Sequence, residues 1–190
     1  MPRPTLHLTV GLPGVGKTTE ARRIAARDHL LRLTPDEWMA PLFGHSDAAG
    51  RRNILEGRFI WVAHEVLAGG SSVVLDFGCW SPEERWAVAA VAAVAGAEYR
   101  LVHLELTEAE RRARAARRWV EAPDTTFEMT DAHHDHYLAS FVPPTPAERA
   151  GGPPPAPPAP CEAWLEWASQ RWPTLPRLDT PPARSPDPDR

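Results

Sequence analysis

The sequence predicts an α/β fold in three layers, with helices on both faces of a mainly parallel sheet of four to five strands, and three observations predict it. Strand-like runs at "TLHLTV", "LLRL", "SSVVLD" and "EYRLVHLEL" alternate with helical stretches at residues 17–29, 47–68, 81–95 and 107–119, the order of successive βαβ units. A glycine-rich loop joins the first strand to the first helix. Carboxylates follow the second and third strands, at the sheet edge where open α/β folds gather their ligands.

The first strand runs into "GLPGVGKTT", residues 11–19, which satisfies G-x-x-x-x-G-K-[ST] between a strand and a helix. Glycines at 11, 14 and 16 let the backbone turn tightly with its N–H groups inward, and the helix N-terminus behind them favours an anion. Gly11, Pro13, Gly14, Val15, Gly16, Lys17, Thr18 and Thr19 are therefore expected to hold the phosphates of ATP. Lys17 is expected to reach the β- and γ-phosphates, the Thr18 hydroxyl to ligate Mg²⁺, and Thr19 to support the α-phosphate side.

After the second strand comes "LTPDEW". Asp36 stands where a carboxylate can orient an acceptor hydroxyl and take its proton; its structural alternative is an N-cap for the helix "EWMAPLF". The third strand ends in Asp76, the position of a Walker B acid, which either holds Mg²⁺ through water or grips the substrate. Trp38 and Trp80 flank these carboxylates and are expected to stack on a flat or apolar substrate. Ser81 and Glu84 have capping-box spacing, and Arg85 faces the acceptor or pairs with a carboxylate. The "DFG" at 76–78 lacks the "HRD" triplet that would make it a protein-kinase metal motif.

Beyond the fourth strand, Arg111, Arg114 and Arg118 fall at i, i+3 and i+7 of "EAERRARAARRW", and one helix face bearing guanidinium groups suits a phosphate lid spanning about 107–128. "AHHDHY" lacks two imidazoles at i and i+4 and is read as a solvated helix. Residues 120–149 read as a mobile segment, a short helix and a proline-marked turn, which closes a domain over 1–150. "GGPPPAPPAP" at 151–160 reads as an extended spacer, and residues 161–180 as a helix carrying Trp164, Leu165, Trp167 and Trp172 with a possible fifth strand at "LPRLD". The tail 181–190 is expected to be disordered. Trp61 and Trp86 sit in apolar helical patterns expected to be core.

Composition narrows the function classes. At 190 residues and 21.0 kDa the chain suits one catalytic domain, and a net charge of −4 gives no global attraction to nucleic acid. No apolar run reaches transmembrane length and "MPRPTLHL" leads directly into a strand, so a cytoplasmic location is expected, with Cys79 and Cys161 as reduced thiols. A GTPase is disfavoured because N-K-x-D is absent, and a hexameric motor because the chain lacks room for a helical lid domain.

Together these residues give a chain that resembles the small P-loop kinases grouped with zeta toxins, chloramphenicol phosphotransferase and the kinase domain of polynucleotide kinase, over about residues 5–150. The resemblance implies a nucleoside-kinase-like P-loop NTPase fold, Asp36 as base, and lid arginines in "RARAARR", of which Arg114 and Arg118 are assigned to catalysis beside Lys17 and Asp36. "DFGCWSPEER" and "FEMTDAHHDHYLASFVPPTPAE" are also similar to segments of an uncharacterised bacterial ATP-binding branch. Polynucleotide kinases carry an arginine three residues after the base, where this chain has Met39. The function expected is therefore transfer of the γ-phosphate of ATP to a small-molecule hydroxyl, on an antibiotic, nucleoside or sugar conjugate. A polynucleotide 5'-hydroxyl kinase and an ATP-binding switch are the alternatives.

Overall fold

A computed structural model describes residues 2–44, 50–121 and 128–178. Four strands, β1 (Thr5–Val10), β2 (Leu31–Leu33), β3 (Val73–Leu75) and β4 (Glu98–His103), form a parallel sheet in the order β2-β3-β1-β4. Eight helices accompany them among the described residues: α1 (Lys17–Asp28), α2 (Pro35–Phe43), α3 (Arg51–Ala68), α4 (Pro82–Val94), α5 (Glu108–Glu121), α6 (Asp131–Ser140), α7 (Pro146–Arg149) and α8 (Trp164–Arg171). The three-layer α/β reading is what the chain adopts.

The period-2 alternation of the strands sorts their side chains between the layers. Leu6, Leu8 and Val10 of β1 join Val73 and Leu75 of β3 on one face, packed by Leu55, Phe59 and Ile60 of α3 and by Ala87, Val88 and Val91 of α4. Val74 points the other way, against Ala21 and Ile24 of α1. With both faces covered, central strands read as nearly unbroken apolar runs, and β1 leaves none of Leu6, Leu8 or Val10 exposed.

Three expectations need correction. No fifth strand forms over residues 175–178: Pro173 and Pro176 withhold ladder donors, Thr174 Oγ1 donates to the Ile54 carbonyl at 2.5 Å, and Leu175 is buried in the main core, so this stretch ends on α3. Trp61 is 37 % exposed, lying on the outer side of α3 with the Arg58 guanidinium 5.4 Å from its ring centroid; Trp86 does pack against the core. Of the two roles expected of Arg85, facing the acceptor is corrected and pairing with a carboxylate is found. The residue is fully buried, its Nε and Nη2 donate to both oxygens of Glu148, and its Nη1 donates to the carbonyls of Cys79, Trp80 and Val142 at 3.2, 3.2 and 3.0 Å.

That guanidinium ties the loop after β3 to the chain between α6 and α7, saturating the peptide groups of a buried loop. Arg85→Met leaves the Glu148 carboxylate buried and unpaired and is expected to cost about 3–5 kcal/mol of unfolding free energy, the range for breaking a buried pair. Urea denaturation measures it, and a loss below about 1 kcal/mol, the worth of an exposed pair, contradicts the structural role.

The capping box at α4 is present: Ser81 Oγ accepts from Glu84 N at 3.2 Å and Glu84 Oε2 from Ser81 N at 3.4 Å. Cys79 and Cys161 are buried free thiols. The proline-rich residues 151–160 carry no helix or strand and are anchored where Trp164 Nε1 donates to Pro155 O at 2.8 Å. Trp164 and Trp172 beyond them belong to the same core cluster as the sheet. Residues 122–127 of the expected mobile segment and lid, and the tail 181–190, lie outside the described residues. No described helix is long and apolar enough to cross a membrane.

Candidate active site

The loop between β1 and α1 is shaped by its contacts as much as by its own sequence. Gly14 has φ 88°, and a Cβ there would lie 2.9 Å from the Arg111 carbonyl of α5; at Gly11 a Cβ would meet the Leu104 carbonyl at 2.5 Å. Only glycine permits both the backbone conformation at 14 and these approaches. Gly16, also at positive φ, is the N-cap of α1 and supplies no side-chain cap. Glu20 N is the first amide bonded back to it, at 3.0 Å, so the amides of 17–19 keep the free donors of a helix start.

Lys17 Nζ donates to the carbonyls of Gly11 at 2.9 Å and Leu12 at 3.1 Å. Burial lowers its pKa to about 8, against the opposing pull of the Asp76 and Asp36 carboxylates; Arg52 and Arg118 lower it further. One lysine thus lies in charge range of residues from α2, α3, α5 and the end of β3. Because an anion bound there favours the ammonium, nucleotide affinity is expected to weaken as pH rises through about 8, by up to about tenfold per pH unit. Calorimetric titration from pH 7 to 9.5 should show proton uptake on binding above pH 8; a flat affinity would contradict it.

Asp76 is 4 % exposed, and each of its oxygens has a partner. Oδ1 accepts from the Thr9 hydroxyl of the neighbouring β1 at 3.1 Å, and Oδ2 from Arg32 Nη1 of β2 at 3.0 Å. Arg32 also reaches Glu37 at 2.5 Å. Its place in β2 gives no sequence signal, because the pairing spans 44 residues.

Asp36 is the second residue of α2, behind Pro35, with a side chain 68 % exposed. It is therefore not the N-cap; Thr34 precedes the helix. Arg52 Nη1 donates to it at 2.7 Å and Arg52 Nε to Glu56 at 2.9 Å. Arg52 is a second residue that sequence reasoning missed. Met39 is 1 % exposed in the core, so the guanidinium beside Asp36 comes from α3 instead of α2.

The three arginines of α5 part company. Arg111 is 1 % exposed, its Nη1 2.7 Å from His134 Nδ1, and burial lowers the pKa of both. It joins the helix bearing "AHHDHY" to α5 beside the phosphate loop, and its Nη2 is buried without a hydrogen-bond partner. Arg114 and Arg118 are exposed; Arg114 Nη1 lies 3.8 Å from where a Gly16 Cβ would be, and the charge of Arg118 acts on Lys17.

Trp38 is 48 % exposed and in T-shaped contact with Phe59, with centroids 5.2 Å apart. Trp80 packs edge-on against Tyr137 at 5.1 Å, with its Nε1 buried and without a hydrogen-bond partner.

Solved structures share this fold. The chain is similar to one in the Pnkp1/Rnl/Hen1 RNA repair complex (19 % identity, TM-score 0.63), matching over 74 % of its own length but spanning only 44 % of that chain. Chaetomium thermophilum Kti12, solved with ADP-AlF3, is 18 % identical with TM-score 0.59, over 77 % of this chain and 84 % of that one. The APS kinase CysC of Mycobacterium tuberculosis, solved with AMPPNP and APS, is 19 % identical with TM-score 0.54, over 92 % and 99 %. A sequence search of curated proteins found no match. The family model AAA_33, described as an AAA domain, matches residues 6–144, and with a P-loop kinase fold built around that stretch the chain belongs to this AAA domain family.

Proposed function

We propose that this protein is an ATP-dependent phosphotransferase that moves the γ-phosphate to the hydroxyl of a small molecule, of the class of an antibiotic, nucleoside or sugar conjugate. The supporting observation is the convergence of charge on Lys17, which leans on the Gly11 and Leu12 carbonyls within range of Asp36, Asp76, Arg52 and Arg118. In this reading the loop amides and Lys17 hold the β- and γ-phosphates. Arg114 and Arg118 neutralise charge on the moving phosphoryl group, Asp36 takes the acceptor proton, and the exposed Trp38 receives an apolar or flat part of the acceptor. The narrower likeness to zeta toxins and chloramphenicol phosphotransferase fits this assignment.

Mg²⁺ would suit the donor set of the Thr18 hydroxyl at the start of α1 and the Asp76 carboxylate, which lies in charge range of Lys17. Asp76, whose oxygens accept from Thr9 and Arg32, would help hold the ion through water, with the Thr18 hydroxyl as the other ligand. A divalent ion held there would supply positive charge to offset that of the phosphates.

Incubating the protein with γ-labelled ATP and a library of hydroxyl compounds, with a 5'-hydroxyl oligonucleotide as one member, and identifying by mass spectrometry what gains phosphate tests the assignment. A labelled small molecule formed only without EDTA supports it. Label on the oligonucleotide, or phosphate release with no labelled acceptor, overturns it.

A further inference from the structure

Trp172, just after α8, is completely buried, and burying an indole N–H calls for an acceptor. The acceptor is Glu56 Oε2 of α3, at 3.1 Å. Glu56 is itself 7 % exposed. Its other oxygen accepts from Arg52 Nε at 2.9 Å, and Arg52 Nη1 donates to Asp36 at 2.7 Å. Three hydrogen bonds thus run without a gap from the C-terminal arm, 116 residues from Glu56 along the chain, to a carboxylate in front of the phosphate loop.

The arm is held in place for this. A Cβ on Gly57 would lie 2.4 Å from Thr174 Oγ1 and 3.2 Å from Trp172 Cβ, so the absence of a side chain lets the arm sit directly on α3. Arg171 adds two bonds to Glu84 Oε1, at 3.0 and 2.7 Å. Packing alone does not account for the polar chain beneath, since burying the Glu56 carboxylate carries a desolvation cost that an apolar side chain of the same volume would not. Burial pushes the Glu56 carboxyl above its usual range, while Arg52 and the Trp172 N–H pull it back. The indole therefore favours the charged form that Arg52 needs.

We propose that Trp172 and Glu56 are positioning residues: through Arg52 they fix the Asp36 carboxylate at the transfer centre, so that the arm beyond the proline-rich segment completes the site of the domain before it. This rests on the reading of Asp36 as the base. The arm acts through the relay and touches neither nucleotide nor acceptor.

The test needs no acceptor and uses the full chain. Trp172→Phe keeps the ring and deletes the N–H; Glu56→Gln keeps the volume and deletes the charge, and serves should the first variant not fold. In NMR spectra at pH 7 the Asp36 carboxyl ¹³C signal is assigned by its loss in Asp36→Asn, and the Arg52 Nε–H signal by its loss in Arg52→Lys. Both relay variants are expected to move the Asp36 signal and to speed exchange of the Arg52 Nε–H by about tenfold or more, as losing a charge-assisted bond does. Leu175→Ala, which trims a core contact of the arm and deletes no group of the relay, is expected to leave both signals in place. An unmoved Asp36 signal in a folded relay variant, or an equal shift in Leu175→Ala, overturns the proposal. Failure of the base reading shows differently, as normal phosphate transfer by Asp36→Asn with the NMR coupling intact.

Discussion

Lys17→Ala is expected to abolish phosphate transfer and to weaken ATP binding by about 10- to 100-fold, the worth of one or two charge-assisted hydrogen bonds. The ammonium is already poised, since it leans on the Gly11 and Leu12 carbonyls beside the free amides of α1 and has only to turn from them to a phosphate. Its removal should leave the fold unharmed. A lysine whose pKa falls from 10.5 to about 8 on folding costs stability in full below pH 8, and that cost fades as pH rises from about 8 to 10.5. Deleting it at pH 7 is therefore expected to hold or raise the thermal midpoint. Calorimetry of ATP binding and a melting curve on the same sample check both halves; wild-type affinity in the variant would refute the role of the loop.

Asp36→Asn is expected to lower turnover by about 10²-fold or more while ATP affinity shifts little, because general-base contributions run about 10²–10⁴. Asparagine keeps size and hydrogen bonding but cannot take a proton. The residue's surroundings make the substitution clean: the side chain is 68 % exposed and paired only at its tip with Arg52, so neither core packing nor a helix cap is lost. Turnover and ATP affinity, measured side by side with the acceptor found by the label screen, decide it. Near-normal transfer would remove Asp36 from the chemistry and with it the ground for a hydroxyl acceptor.

Much of the scaffold was legible because its signals are local. The strand–loop–helix run at residues 5–28 combines an apolar strand, glycines where φ must be positive and a helix periodicity, all within reach of one another along the chain. The Ser81–Glu84 box is equally local. Some strand ends are shorter than the apolar runs suggest: "SSVVLD" yields Val73–Leu75 alone, matched to the three residues of β2. The region 175–178 was misread for the opposite reason, as an apolar pattern whose partner proved to be α3 and not the sheet.

Arginines divide the two kinds of information most clearly. By itself the sequence determined the nucleotide-type loop, the βα order, and the presence of a carboxylate after β2 and another after β3. It supplied many guanidinium groups and no means of ranking them. Tertiary structure sank Arg85 onto Glu148 and Arg111 onto His134, left Arg114 and Arg118 exposed beside the loop, and brought Arg32 to Asp76 and Arg52 to Asp36. An arginine's role depends on which carboxylate or carbonyl reaches it and on how much water remains, and both depend on residues tens of positions away. Helix and strand periodicity is written within a few residues; the partner of a charge is settled only when the layers close.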